Sequence, residues 1–241
     1  MQTPTESDIE YHHDGTRYVG HLALPAGDGP VAGVLVCHEG PGLDDHAKDV
    51  ARRLAGLGYA AFALDYHGDG ALVPFAELRA KLGPLRESPA LTRSVGRAGL
   101  AQLTAQPRVD GDRVAAIGFC FGGTMALELA RDGVPLRAVV GFHSGLGTTA
   151  PAAPGSITGS VLACIGADDP MIPVAQRNEF EDEMRASGAD WRLQIYGGAV
   201  HSFTNTRASD MGMPGIAYHE PTDRRSWNAM IELFDETLTA S

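Results

Sequence analysis

Six short apolar segments recur along the chain, and most of them are separated by stretches with the spacing of an amphipathic helix. The apolar segments are rich in Val, Ile and Ala, and they cover residues 31–39, 59–67, 113–119, 136–144, 160–169 and 191–197. Near-continuous apolar runs of this length are typical of strands that are covered on both faces. The pattern therefore predicts a parallel sheet between two layers of helices.

Two of the intervening segments show the helical pattern clearly. The segment 43–57 has apolar residues at helical spacing, with Asp44 and Asp45 as capping candidates at its start and Gly58 at its end. The same spacing returns between residues 227 and 238. These segments predict one helix after the first central strand and one at the end of the chain.

The N-terminal region has a different pattern, in which two alternating segments are joined by Asp14 and Gly15. This dipeptide is a strong signal for a β-hairpin. We therefore predict an α/β fold with one mostly parallel, doubly wound sheet and an antiparallel N-terminal hairpin at its edge. The weakly patterned stretches 68–90 and 144–159 are too short for a second domain, so residues 1–241 are predicted to form one domain.

The charge balance limits the partners of the chain. Its 241 residues include 19 Lys and Arg against 30 Asp and Glu, which gives a net charge of −11. This charge repels phosphate backbones and anionic membranes, and no basic cluster offsets it. The sequence also shows no leader pattern and no apolar run of membrane-spanning length. We expect a cytoplasmic monomer or small homo-oligomer that binds neither nucleic acid nor membranes.

The cysteines and histidines do not predict a metal site. Cys37, Cys120 and Cys164 are odd in number and far apart, so reduced thiols are expected. Two sets of side chains have the residue types of metal ligands. One is His67 with Asp65 and Asp69, and the other is the run of residues 12–14. Neither has the spacing of a zinc motif, so we expect no metal and no cofactor.

The third central segment ends in a junction with the sequence GFCFGG, residues 118–123. This is a nucleophile elbow, G-x-S-x-G, with Cys120 in place of serine. Its glycines allow close backbone approach, and the N-terminus of the following helix favours a thiolate. The N–H of Phe121 then becomes an oxyanion donor. An inert cysteine at a glycine-rich junction is the structural alternative.

Acid and base candidates follow the nucleophile in the order that this elbow fold uses. Asp169 ends the fifth apolar segment, with Asp168 as a competitor, and His201 follows the last strand. Open α/β sheets bind ligands beyond the carboxyl ends of their strands. We therefore expect Cys120, Asp169 and His201 to meet at that edge.

The loop after the first central segment, HEGPGL in residues 38–43, is a candidate for the rest of an oxyanion hole. Gly40 is the expected second N–H donor. Glu39 is expected close to Cys120, where a carboxylate would disfavour the thiolate or accept the S–H proton. A surface glutamate that caps the following turn is the alternative for Glu39.

Together, the site motifs resemble the dienelactone hydrolase family of α/β-hydrolases, over nearly the whole chain. The matching pieces are HEGPGL at 38–43, GFCFGG at 118–123, GADDPMIP at 166–173 and GGAVHSF at 197–203. The resemblance implies an α/β-hydrolase fold and hydrolysis of esters or lactones through a thioester. The roles it implies are Cys120 as nucleophile, His201 as base, Asp169 as the carboxylate that orients it, Glu39 as the contact of the resting thiol, and Gly40 and Phe121 as oxyanion donors.

The expected substrate differs from that of the dienelactone-specific members, which use arginines to bind a substrate carboxylate. Asn205 stands where those members have one arginine, Arg207 comes two residues later, and DYHGDG at 65–70 contains none. A neutral or activated ester or lactone is therefore expected, with activated phosphotriesters as side substrates. The candidate substrate contacts, beside Phe121, are Phe142, His143, Phe203, Asn205, Arg207, Met211 and Met213.

Two functions of other classes remain open from the sequence. A small-molecule receptor on the same fold would bind a ligand without forming a covalent adduct at Cys120. A redox sensor would oxidise Cys120 and show no esterase activity. The joint placement of Cys120, Asp169 and His201 favours the hydrolase, because neither alternative needs all three.

Overall fold

An eight-stranded sheet organises the chain in the computed structural model, which describes residues 3–239. The strands are β1 (Thr5–His13), β2 (Thr16–Leu24), β3 (Val31–Cys37), β4 (Ala60–Leu64), β5 (Val109–Phe119), β6 (Ala138–Phe142), β7 (Ser160–Gly166) and β8 (Asp190–Tyr196). Their order is β1-β2-β4-β3-β5-β6-β7-β8. The β1–β2 and β2–β4 pairs are antiparallel and the others are parallel. The predicted α/β fold with an antiparallel hairpin edge is confirmed.

The helices lie on both faces of this sheet. They are α1 (Asp45–Gly56), α2 (Leu78–Glu87), α3 (Pro89–Thr104), α4 (Phe121–Arg131), α5 (Val174–Ser187) and α6 (Glu220–Thr237). Short 3₁₀ turns cover Phe75–Glu77 and Ala208–Met211. None of the helices within residues 3–239 has an apolar stretch long enough to cross a bilayer.

Alternation along the central strands explains the two helical layers. In β3, Leu35 packs into a core cluster with α3, α4 and α5, whereas Val34 and Val36 pack into a second cluster with α1 and α6. Successive side chains of a strand point to opposite faces, so a continuous apolar run supplies both clusters. The parallel order then brings the carboxyl ends of β3, β5, β6 and β7 to one edge.

Local signals in the sequence place several element ends. The hairpin turns at Asp14 and Gly15, which both have positive φ angles of 47° and 75°. Helix α1 begins after Asp44, whose carboxylate accepts the Ala47 N–H at 3.3 Å. Helix α2 was not evident from its sequence, because it is short and buries only Leu82 and Leu85.

Candidate active site

Cys120 occupies a strained turn between β5 and α4. Its backbone angles are φ 53° and ψ −121°, a region that L residues rarely adopt. A Cβ at Gly118 would lie 2.1 Å from the Gly122 carbonyl oxygen, and one at Gly122 would lie 2.2 Å from the Cys37 carbonyl oxygen. The turn therefore requires glycine at both positions, and the strand-to-helix junction that GFCFGG predicts is present.

Cys120 is also the most accessible thiol of the chain. Cys37 and Cys164 are fully buried, whereas Cys120 is partly exposed. Burial raises the pKa of the Cys37 thiol far above its usual range and that of Cys164 to about 12. These two thiols stay protonated at neutral pH, so an electrophile added in solution should meet Cys120 first.

His201 and Asp169 form a buried pair. The His201 Nδ1 lies 2.8 Å from Asp169 Oδ2, and Asp169 Oδ1 accepts the Met171 N–H at 2.8 Å. Asp168 is exposed instead, and its Oδ2 accepts the Gly198 N–H at 3.1 Å. Of the two neighbouring aspartates, Asp169 is therefore the one that can orient the imidazole.

The other nitrogen of His201, Nε2, is buried and has no hydrogen-bond partner among residues 3–239. Burial disfavours the charged imidazolium, but the Cys120 sulfur and the Asp169 carboxylate outweigh it and raise the pKa of His201 to about 10. His201 and Cys120 also line the same cavity. The three residues that the sequence singled out thus lie together, in the order Asp169, His201, Cys120.

Two backbone N–H groups near the start of α4 donate no hydrogen bond among the described residues. Phe121 is the first residue of α4, so its N–H has no partner within the helix. Neither this N–H nor that of Gly40 donates a hydrogen bond in the part of the chain that the structure describes. The close packing of Gly122 on the carbonyls of Cys37 and His38 brings the 38–40 segment against the start of α4.

Glu39 is buried, and its hydrogen bond goes to Asn205 and not to Cys120. Its side chain is only 2% exposed, which excludes the surface turn cap. Oε2 accepts a hydrogen bond from Asn205 Nδ2 at 2.5 Å, and Oε1 has no partner among the described residues. Among the described residues, no hydrogen bond joins Glu39 to the Cys120 thiol.

His143 lies behind the elbow rather than in a substrate pocket. It is fully buried, and its Nδ1 accepts the Cys120 N–H at 3.1 Å. Since Nδ1 accepts, Nε2 carries the proton and donates it to Thr204 Oγ1 at 2.8 Å. Burial, with the nearby His201 and His46, lowers the pKa of His143 well below its usual value. A neutral His143 therefore ties the Cys120 turn to the loop that carries His201.

A cavity of about 510 Å³ opens beside Cys120 and His201. Helix α2 contributes Leu85 and Arg86 to the wall of this cavity. Met171 comes from the loop between β7 and α5, and Gln176 comes from the first turn of α5. Residues 145–149 of the loop after β6 form another side. The weakly patterned segments 68–90 and 144–159 thus both border the site.

Most of the expected substrate contacts lie elsewhere. Phe121 lines the 510 Å³ cavity. Phe142, Asn205 and Arg207 line a separate cavity of about 170 Å³ between α1 and α6. The other four expected contacts line neither cavity. They are His143, the fully buried Phe203, and Met211 and Met213 near the second 3₁₀ turn.

The course of the chain after His201 explains why the expected substrate contacts from residue 203 onwards lie outside the Cys120 cavity. Ser202 has a positive φ of 56°, and the following residues turn towards the α1 and α6 face of the sheet. The residues of α2 that line the Cys120 cavity were not predicted from the sequence, because that helix has few apolar positions. Met171 could have been found, since it lies two residues after Asp169 in the same motif.

The histidine and aspartate sets considered as metal ligands have other partners. Both carboxylate oxygens of Asp65 accept backbone N–H groups, including those of His67 and Gly70. His67 Nε2 donates to the Gly40 carbonyl at 2.7 Å. Within residues 3–239, no three His, Cys, Asp or Glu side chains are arranged to hold a metal ion.

The chain is similar to several known proteins. The dienelactone hydrolase family matches residues 19–238. A dienelactone hydrolase-like promiscuous phosphotriesterase from metagenomic libraries is 43% identical, covers 99% of this chain and 100% of its own, and has a TM-score of 0.93. The solved structure named m3DLH is 47% identical with the same coverage and a TM-score of 0.94.

A curated relative from Bradyrhizobium sp. is named "Probable 2-oxo-3-(5-oxofuran-2-ylidene)propanoate lactonase". It is 30% identical over 207 residues, which cover 81% of this chain and 82% of the relative. The family match extends over nearly the whole sheet and includes the motifs around Cys120, Asp169 and His201. The chain therefore belongs to the dienelactone hydrolase family.

Proposed function

We propose that this hydrolase cleaves carboxylic esters or lactones through Cys120 as nucleophile, His201 as base and Asp169 as the carboxylate that orients the imidazole. One observation carries the proposal. The Asp169 carboxylate holds His201 Nδ1 at 2.8 Å, and Nε2 has no other hydrogen-bond partner among residues 3–239 and shares the cavity of the accessible thiol. A base held in one tautomer next to a nucleophile is the arrangement that acyl transfer requires.

Before the acylation step, the proton of the Cys120 thiol passes to His201 Nε2, and the raised pKa of His201 holds it there as an imidazolium beside the thiolate. The sulfur attacks the carbonyl carbon, a C–S bond forms, and the carbonyl electron pair moves onto oxygen. The N–H groups of Gly40 and Phe121 stabilise that oxyanion. When the C=O bond re-forms, the alkoxide leaves and takes the proton from His201, which gives a thioester and an alcohol, or an opened ring from a lactone.

In the deacylation step, water attacks the thioester and gives up a proton to His201. The second oxyanion collapses, the acid leaves, and the Cys120 sulfur recovers the proton. In the acyl-enzyme the Cys120 sulfur is uncharged and no longer raises the pKa of His201, so the neutral imidazole can accept the proton of the water. In the acylation step, the raised pKa of His201 keeps the imidazolium until the leaving alkoxide accepts its proton. Burial of His201 disfavours its positive charge, so the Asp169 carboxylate is needed to stabilise the imidazolium.

The test is detection of the acyl-enzyme. On rapid mixing with p-nitrophenyl acetate, we expect a burst of nitrophenolate of about one equivalent, because a covalent intermediate forms before it is hydrolysed. Acid quenching should trap a protein heavier by one acetyl group, with the modified peptide containing Cys120. Prior treatment with iodoacetamide should abolish the burst. Binding without an acyl adduct would support the receptor instead, and peroxide-sensitive labelling without hydrolysis would support the redox sensor.

The cavity favours a mostly neutral substrate. Leu85, Phe121 and Met171 are apolar, and Gln176 is polar but uncharged.

The charged side chains of the cavity are few. Glu128 also lines the cavity, but Arg93 and Arg131 pair with it. Arg86 is exposed at the wall, with its guanidinium carbon 5.9 Å from the Phe121 ring centroid, so the wall has a guanidinium in addition to the charged His201. The proposed substrate class is therefore a neutral or activated ester or lactone.

We further propose a side activity on activated phosphotriesters, supported by the 43% identical relative whose name describes a promiscuous phosphotriesterase. Attack of the Cys120 sulfur on phosphorus would form an S–P bond and expel a nitrophenolate, and water would then cleave that bond. We expect slow release of nitrophenolate from diethyl p-nitrophenyl phosphate, which iodoacetamide should abolish together with ester hydrolysis. Turnover that survives alkylation of Cys120 would contradict this activity.

A further inference from the structure

A buried cluster of His38, Tyr66 and His67 lies behind the loop that carries Gly40, and the proposed reaction steps do not use it. The His38 and Tyr66 rings stack with 3.6 Å between their centroids, and the His67 ring lies edge-on to Tyr66 at 4.7 Å. All three side chains are buried. Their hydrogen bonds converge on the backbone of the 38–40 segment.

The Glu39 carbonyl accepts two of these hydrogen bonds. The Tyr66 hydroxyl donates at 2.8 Å and His38 Nδ1 donates at 2.6 Å. A carbonyl oxygen can only accept, so Nδ1 carries the proton of His38. Burial lowers the pKa of His38 well below its usual value and raises that of Tyr66 well above its own. Both groups therefore stay neutral donors throughout the pH range of an assay.

These bonds fix the direction of the Gly40 N–H. The peptide between Glu39 and Gly40 is planar and trans, as are all those in residues 3–239, so its C=O and N–H point to opposite sides. Holding the C=O against Tyr66 and His38 turns the N–H away from the cluster. His67 Nε2 holds the next carbonyl, that of Gly40, at 2.7 Å. The Gly40 N–H itself has no acceptor in the described part of the chain.

The cluster is in turn anchored by Asp65. Its Oδ1 accepts the N–H groups of His67 and Gly68, and its Oδ2 accepts those of Val19 and Gly70. Four backbone bonds to one fully buried carboxylate fix the turn after β4. The Tyr66 ring also lies edge-on to Phe121, with 5.5 Å between centroids. The cluster thus contacts the residues of both proposed oxyanion donors.

We propose that Tyr66 is a positioning residue for the oxyanion hole, whose hydroxyl, with His38 and His67, keeps the Gly40 N–H aimed at the oxyanion. This inference rests on the proposed function, since it concerns the oxyanion of that reaction. Tyr66 acts through Gly40 and does not line the substrate cavity. Preorganised donors stabilise a developing charge because they need no reorientation during the reaction.

The experiment is Tyr66→Phe, which removes one hydroxyl and retains the ring stack. Loss of a direct oxyanion donor lowers kcat by about 10² to 10³, so loosening of one donor should lower kcat by about tenfold, with KM changed by less than about twofold. The inhibition constant of a trifluoromethyl ketone should rise by the same factor, because its adduct with the Cys120 thiolate carries an oxyanion. The rate of alkylation by iodoacetamide should not change, since that reaction forms no oxyanion.

The matched control is Tyr11→Phe. Tyr11 also donates its buried hydroxyl to a backbone carbonyl, that of Asp65 at 2.9 Å, and not to the 38–40 segment. It should keep the wild-type kcat and inhibition constant. His67→Phe, which removes the bond to the Gly40 carbonyl, should act in the same direction as Tyr66→Phe and provides the test if Tyr66→Phe does not fold.

An unchanged kcat and inhibition constant in Tyr66→Phe would overturn the inference, and so would an equal loss in Tyr11→Phe. A slower alkylation in Tyr66→Phe would also overturn it, because the hydroxyl would then act on the thiol. If Cys120→Ala retains hydrolysis, the proposed function itself fails. If Cys120→Ala is inactive and Tyr66→Phe resembles the wild type, only the positioning role fails.

Discussion

Replacement of Cys120 by alanine is expected to lower kcat for p-nitrophenyl acetate by about 10⁵ or more, the scale of nucleophile deletions in other hydrolases. The alanine has no atom that can attack the carbonyl, whereas the Gly40 and Phe121 N–H groups remain. The strained φ of 53° at this position is retained, because the packing around Gly118 and Gly122 determines it. Steady-state hydrolysis and the size of the burst would both be measured.

The control for this substitution is Cys164→Ala. Cys164 is fully buried in β7, and its sulfur lies 3.9 Å from the Tyr196 hydroxyl, away from the substrate cavity. This variant should keep its kcat and its labelling by iodoacetamide. Residual hydrolysis in Cys120→Ala within about tenfold of the wild type would show that another group performs the attack, since nucleophile deletions have far larger effects.

Asp169→Asn is expected to lower kcat by about 10⁴, as for the equivalent change in serine hydrolase triads. The amide can hold His201 in the wrong tautomer, and it removes the negative charge that faces Nδ1 at 2.8 Å. Because Asp169 contributes to raising the pKa of His201, the substitution should lower that pKa from about 10. The measurement is kcat against pH for an alkyl ester, whose leaving alkoxide needs a proton.

The direction of this pH effect follows from the protonation of His201. In the wild type the imidazolium is lost only as the pH approaches about 10, so the alkaline decline of kcat should lie there. In Asp169→Asn the decline should occur at lower pH. The same raised pKa means that the His201 charge stabilises the folded protein fully below its ordinary pKa of 6.5, and this contribution is lost as the pH rises towards 10.

Asp168→Asn is the matched control, because it makes the same change at the adjacent position. Asp168 is exposed, and among the described residues it accepts a hydrogen bond only from the Gly198 N–H. Its kcat and its alkaline decline should match those of the wild type. A loss in Asp168→Asn as large as in Asp169→Asn would mean that general disturbance of the loop, and not the orientation of His201, causes the effect.

Much of the fold followed from local pattern. Each of the six apolar segments overlaps a strand, because continuous apolar runs suit strands that are covered on both faces. The Asp14-Gly15 turn and the Asp44 cap were placed correctly for equally local reasons, namely positive φ and a side-chain acceptor near the helix start. Helix α2 escaped prediction because most of its residues face solvent and its periodicity is therefore weak.

The sequence by itself determined the elbow at Cys120 and the adjacency of Asp169 and His201. Glycines at 118 and 122 restrict the turn, and the parallel order of the strands brings their carboxyl ends together. Only the tertiary structure decided the partner of Glu39, because Asn205 is 166 residues away along the chain. It also decided which residues form the walls of the substrate cavity and the cluster behind Gly40. Such contacts depend on how loops cross the sheet edge, which no local periodicity encodes.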